Sequence, residues 1–176
     1  MSFDVSDLAA NAVEFYEPAA ELKSIDLKFR TDGPVWVSGD PVLLAQALSN
    51  LIDNALKYAP QNGAIEVAVR KRDPASAEIS VADNGPGIDE AEKSKVVERF
   101  YRGDASRGTP GVGLGLSLVQ AVAKLHGSPL ELYDQAPGLR VVLIFPAQEV
   151  STAQAAAESQ EPASASLAAT TLAPSP

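Results

Sequence analysis

The chain has no cysteine, one histidine, one methionine and one tryptophan in 176 residues. Without thiols it can build neither a disulfide framework nor a thiolate-held metal centre. No apolar run approaches the ~20 residues that span a bilayer. The N-terminal stretch MSFDVSDLAA is too polar for a secretory leader, so a cytoplasmic location is expected. Positive charge is also scarce, with 14 Lys and Arg against 23 Asp and Glu and a net charge of −9. Such a chain repels duplex nucleic acid and anionic membrane surfaces, so neither is expected as a partner. After Pro146 positive charge vanishes altogether. Ala147–Pro176 is mostly Ala, Ser, Thr, Gln and Pro, with Glu149, Glu158 and Glu161. Its apolar bulk is too small to offset ordering entropy, so a disordered tail over 147–176 is expected.

What remains has the 45% apolar content of a globular protein and the length of one domain with its own core, Phe3–Pro146. Its hydrophobic period switches repeatedly. Leu8, Ala12, Phe15 and Ala19 recur at helical spacing within Ser6–Leu22. Ile25, Leu27 and Phe29 alternate as a strand, and Thr31-Asp32-Gly33 turns the chain toward a second strand around Val35 and Val37. Asp40-Pro41 pairs an N-cap with proline at the first helical position, opening a helix that runs to about Tyr58. Alternating runs at Ile65/Val67/Val69 and Ala77/Ile79/Val81 flank a turn at Asp73-Pro74. A short helix is expected within Glu90–Arg99, a polar loop over Tyr101–Pro110 and a helix over Gly113–Leu125. Strands Leu130–Tyr133 and Leu139–Phe145 follow, across a Pro137-Gly138 turn. Hairpins without regular βαβ alternation indicate an α/β (α+β) domain. The expected architecture is a two-layer sandwich with a mixed, mostly antiparallel sheet covered on one face by helices.

Three segments carry candidate chemistry. On the helix Asp40–Tyr58, Leu44, Leu48, Leu51 and Ala55 fall within about 60° and form a buried stripe. Asn50 and Asn54 point together from its edge, with Gln46 and Lys57 alongside. Asparagine is a mediocre helix former, so the pair is either two solvent-facing amides or a set of oxygens for a hard cation such as Mg²⁺. Asp83-Asn84-Gly85-Pro86-Gly87-Ile88 follows a strand. It reads as a tight turn, or as a carboxylate that accepts from an exocyclic amine beside glycines admitting a flat ring. Gly111-Val112-Gly113-Leu114-Gly115-Leu116 passes from loop to helix, where free backbone N–H groups favour phosphate. No Gly-Lys-Ser/Thr follows, so it is not a Walker loop, and Leu116 stands where a dinucleotide fingerprint has its third glycine.

In order and spacing, NLIDNALKY, DNGPGI and GVGLGL resemble the N, G1 and G2 boxes of the catalytic ATP-binding domain of bacterial sensor histidine kinases. That domain belongs to the GHKL superfamily shared with DNA gyrase B, Hsp90 and MutL, and has the Bergerat fold. The intervening ERFYRGDASRGTPG is similar to the kinase F box and ATP lid. The resemblance covers roughly Phe3–Pro146. It implies that Asn54 is the principal Mg²⁺ ligand with Asn50 assisting, that Lys57 reaches the phosphates and that Tyr58 packs near adenine. It implies that Asp83 holds the adenine amine in a pocket shaped by Gly85, Gly87 and Ile88. Phe100 would anchor the lid and Arg102 would approach the γ-phosphate. Gly111, Gly113, Leu114, Gly115 and Leu116 would wrap the phosphates. Asn50, Lys57 and Arg102 are the positions implied to act in catalysis. Val112, where threonine is common, and Ser128, where a second glycine usually stands, depart from the pattern.

The hydrolases of that superfamily resemble one another in a glutamate four residues before the metal asparagine, acting as general base. Here Asn50 holds that place, and an amide takes no proton at neutral pH. Phosphotransfer to histidine asks only for an in-line γ-phosphoryl group with its charge neutralised. The expected function is therefore transfer of that group from Mg·ATP to a histidine on a separate helical dimerisation domain and, through it, to a response regulator. The alternatives are a weak ATPase and a degenerate ATP-sensing or partner-binding module. His126 falls in the helix-ending Leu125-His126-Gly127-Ser128 and reads as structural. Without an acceptor histidine, the chain is expected to be an excised or separately encoded kinase half, monomeric in isolation.

Overall fold

The computed structural model describes residues 1–93 and 115–147, with backbone only for Ala91 and Glu92. A short strand β1 (Ser2–Asp4) leads directly into helix α1 (Val5–Leu22). The Asp4 carboxylate accepts from the Ser6 N–H at 2.8 Å and from the Val35 N–H at 3.1 Å. One side chain thus caps α1 and draws in the strand β3 (Trp36–Ser38), which pairs antiparallel with β1. The turn expected at Thr31-Asp32-Gly33 leads to this second strand, but the two strands it joins do not pair. The strand β2 (Asp26–Thr31) instead lies parallel to β4 (Ala64–Asp73), with Leu27 opposite Ile65 and Phe29 opposite Val67.

The remaining strands are β5 (Ser76–Asp83), β6 (Leu130–Asp134) and β7 (Leu139–Pro146). The main sheet has the order β2-β4-β5-β7-β6 and is antiparallel except at β2–β4. Helices α1, α2 (Pro41–Tyr58) and α4 (Gly115–Leu125) bring Val13, Leu44, Leu48, Ile52, Val119 and Val122 into one core with Ile65, Val67, Ile79, Leu143 and Phe145. Each large side chain so buried contributes about 1.5–3 kcal/mol. On the sheet's opposite face the nearly buried Glu78 accepts from Arg70 at 2.9 Å and from Arg140 at 2.7 Å. Two cations on one carboxylate satisfy a charge that burial would otherwise make costly.

Helix α2 starts where the sequence places its cap, because the Asp40 carboxylate accepts from the Val42 and Leu43 N–H groups at 2.9 and 3.2 Å. The helix expected within Glu90–Arg99 is described as α3 (Glu90–Lys93). Its remainder, the loop over 101–110 and the tail beyond Ala147 lie outside the described residues.

Candidate functional site

The site is built on the C-terminal half of α2. A Cβ added to Gly115 would lie 2.9 Å from the Asn54 amide nitrogen and 3.1 Å from its oxygen. The first residue of α4 therefore rests on the Asn54 side chain, and only a glycine allows that approach. The Gly115 end of α4 thus lies beside a polar amide, and the N-terminal end of a helix dipole favours negative charge. Asn50, one turn earlier, donates its side-chain N–H to the Gln46 carbonyl at 2.8 Å. That bond turns the Asn50 nitrogen to the helix and leaves its oxygen as acceptor. Lys57 lies 5.1 Å over the Tyr58 ring, so its ammonium is held at the same helix end.

From Tyr58 the site continues to β5. A Cβ on the buried Gly85 would come 2.7 Å from the Tyr58 carbonyl oxygen and 2.8 Å from an Asp83 carboxylate oxygen. That Asp83 oxygen accepts from the Gly85 N–H at 2.8 Å. Burial pushes the Asp83 carboxyl above its ordinary value, against the pull of hydrogen bonds from the Gly85 and Leu139 backbone. It is thus a partly desolvated acceptor at a strand end. Gly87 has φ of +74° and, with Ile88 half-buried against the core, carries the chain away from the strand.

The structure therefore brings Asn54 against Gly115, and sets Gly85 between the Tyr58 backbone carbonyl and the Asp83 carboxylate, with α2 as the common element. Leu116, the second residue of α4, packs half-buried on the core. Phe100, Arg102, Gly111, Gly113 and Leu114 lie outside the described residues. Among the described residues no group of three or more His, Asp or Glu side chains could hold a metal ion. A cation here would rely on amide and phosphate oxygens, a donor set suited to Mg²⁺.

Sequence reasoning missed the β6–β7 hairpin as a wall of this site. A Cβ on Gly138 would fall 1.8 Å from the Asp83 carbonyl oxygen, so the turn is pressed against the strand end. Lys93 ties α3 to the turn end of the hairpin through Asp134 at 3.0 Å and also pairs with Glu90 at 2.6 Å. The Pro137-Gly138 pair signalled a turn. Only the adjacency of β5 and β7 shows what that turn touches.

Residues 39–149 match the family described as histidine kinase-, DNA gyrase B-, and HSP90-like ATPase. The signal transduction histidine-protein kinase/phosphatase MprB of Mycobacterium sp. strain KMS is 46% identical over 114 residues, 64% of this chain and 22% of that protein. The MprB of Mycobacterium avium strain 104 is 40% identical over 136 residues, 77% of this chain and 25% of that protein. The chain thus spans about a quarter or less of the length of these curated relatives. The solved mycobacterial sensor histidine kinase MprB superposes with a TM-score of 0.78 at 32% identity, over 85% of this chain and all of that one. The nucleotide-free catalytic domain of histidine kinase ThkA gives 0.75 at 26% identity, over 83% of this chain and 96% of that one. The chain therefore belongs to the histidine kinase-, DNA gyrase B- and HSP90-like ATPase family, in the branch of the sensor histidine kinases.

Proposed function

We propose that this domain binds Mg·ATP and donates the γ-phosphoryl group to a histidine on a separate helical dimerisation domain, which in turn serves a response regulator. The observation that carries the reading is the contact of Asn54 with Gly115. It sets the Asn54 amide beside the N-terminal end of α4, where the helix dipole favours an anion. Asp83 stands beyond Tyr58 and Gly85, able to accept from an exocyclic amine.

In this reading Asp83 and the close backbone of Gly85, Gly87 and Ile88 seat adenine. Tyr58 flanks it, and Lys57 places positive charge toward the phosphates. Asn54, with Asn50 assisting, holds the Mg²⁺ that arrives with the nucleotide and neutralises phosphate charge. Gly115 and Leu116 supply backbone N–H groups. Phe100, Arg102, Gly111, Gly113 and Leu114 complete the lid and phosphate loop. Asn50 offers no base to activate water. The domain then works by positioning and charge neutralisation, which suffice for an imidazole acceptor. In this reading the domain spans 3–146 and acts in the cytoplasm, an extent and setting supported by the net charge of −9 and by the change of composition after Pro146.

Titration calorimetry tests the binding half. Mg²⁺-dependent binding of ATP is expected, with Asn54→Ala and Asp83→Ala each losing at least tenfold in affinity. Absence of Mg²⁺-dependent binding, or binding undiminished in both variants, overturns the proposal.

A further inference from the structure

His126 stands just past α4, and both of its ring nitrogens are committed to backbone. Nε2 accepts from the Asp40 N–H at 2.9 Å, and Nδ1 lies 2.8 Å from the Val122 carbonyl oxygen. An amide N–H can only donate and a carbonyl can only accept. The ring is therefore neutral, with its proton on Nδ1. Its edge meets the fully buried Phe145 of β7, with ring centroids 6.1 Å apart at 77°. On a third side, a Cβ at Gly39 would fall 2.5 Å from His126 Cδ2. The half-buried imidazole is thus contacted by the end of α4, the start of α2 and the sheet.

Asp40 is itself the N-cap of α2, so its backbone position is fixed by the helix that its carboxylate closes. Helices α2 and α4 run antiparallel and touch at two named points. Asn54 meets Gly115 at one end, and Asp40 meets His126 at the other. Between them α4 advances about 16 Å at ~1.5 Å per residue. A helix held at its far end by one directional bond cannot slide along its neighbour without breaking that bond. Sliding would change the spacing between the Gly115 backbone and the Asn54 amide.

We infer that His126 is a positioning residue, fixing the axial register of α4 on α2 through a neutral, Nδ1-protonated ring and so holding Gly115 against Asn54. Its bearing on phosphate rests on the proposed reading of that pair as the Mg·ATP phosphate end. His126 does not touch the nucleotide. It acts through α4.

The test compares His126→Gln, whose side-chain oxygen can still accept from the Asp40 N–H, with His126→Leu, which fills space and accepts nothing. Affinities are measured for a non-hydrolysable Mg·ATP analogue and for adenosine, which probes the Asp83 end alone. The expected result is a loss of tenfold or more for the Mg·ATP analogue in His126→Leu, with adenosine within twofold and Gln restoring affinity to within threefold. Equal losses for both ligands, or no loss in His126→Leu, overturn the inference. So does failure of Gln to restore affinity. Nitrogen-15 spectra of the unsubstituted protein need no variant, and at neutral pH they must show Nδ1 protonated and Nε2 bare. An Nε2-protonated ring or an imidazolium overturns the inference as well. If the unsubstituted protein binds adenosine but not the Mg·ATP analogue, the phosphate reading fails, whatever the tautomer.

Discussion

Gly115 has no room for a side chain, because Asn54 occupies the space its Cβ would take, 2.9 Å from the amide nitrogen. Alanine favours a helix over glycine by roughly 0.5–1 kcal/mol, so Gly115→Ala gains propensity while pushing the Asn54 amide aside. The Asn54 side chain can rotate, which keeps the fold intact. The expected outcome is a melting temperature within about 3 °C of the parent and a Mg·ATP affinity lowered about tenfold. Thermal denaturation and calorimetry on the same sample separate the two effects.

Asp83 gives a pH signature. Burial raises its carboxyl above the ordinary 3.8, so the folded state holds that proton more tightly than the unfolded chain does. Stability from this group is present at low pH and declines as pH rises through the unfolded and then the folded value. Acceptance of an adenine amine needs the opposite, an ionised carboxylate. Nucleotide affinity should therefore fall on acidification with a midpoint above 3.8. Asp83→Asn keeps an oxygen for the Gly85 N–H and sheds the buried charge. It should melt no lower than the parent while losing at least tenfold in ATP affinity.

Helix α2 shows how much the sequence could say. Its cap at Asp40, its start at Pro41 and its stripe of Leu44, Leu48, Leu51 and Ala55 appear in the structure as expected, because cap and period are local signals. The strands β4 to β7 were legible for the same reason. Their period of two and turns at Asp73-Pro74 and Pro137-Gly138 are local. The partner of β3 was not legible. It depends on Asp4 reaching Val35 across a span of sequence, and β1 is too short for alternation to show. The candidate site divides in the same way. Asn54, Asp83 and Gly115 stand out by motif, whereas Gly138, Leu139 and Lys93 reach it only through sheet order and an ion pair between residues 41 apart in sequence.

Gly138 offers a stability contrast with Gly33. Both have positive φ, +115° and +132°, so alanine strains the backbone at either. At Gly33 nothing lies within 4 Å of an added Cβ, whereas at Gly138 the Asp83 carbonyl oxygen is 1.8 Å away. Gly33→Ala should cost about 1–3 kcal/mol from strain alone. Gly138→Ala must also displace the hairpin, and should cost more than ~4 kcal/mol or prevent folding. Urea midpoints for the two variants check the order.

Tyr16 and Asp53 couple α1 to α2 next to Asn54. Burial first, then the hydrogen bond to Asp53, pushes the Tyr16 hydroxyl from 10.0 up to about 12. A raised folded value means that this stabilisation is whole below pH 10 and fades as pH climbs toward 12. Tyr16→Phe should lower stability by about 0.5–1.5 kcal/mol at neutral pH. It should also flatten the fall in stability above pH 10, as urea denaturation across that range would show.

Transfer of γ-phosphoryl label from ATP to a supplied histidine-bearing helical dimerisation domain tests the central claim most directly. Acid-labile label should appear on the acceptor in the presence of Mg²⁺. It should fall at least tenfold with Asn54→Ala or Asp83→Ala and be absent when the acceptor histidine is replaced. ATP bound with Mg²⁺ but no label on any such acceptor would contradict a kinase and leave a nucleotide-binding module in its place.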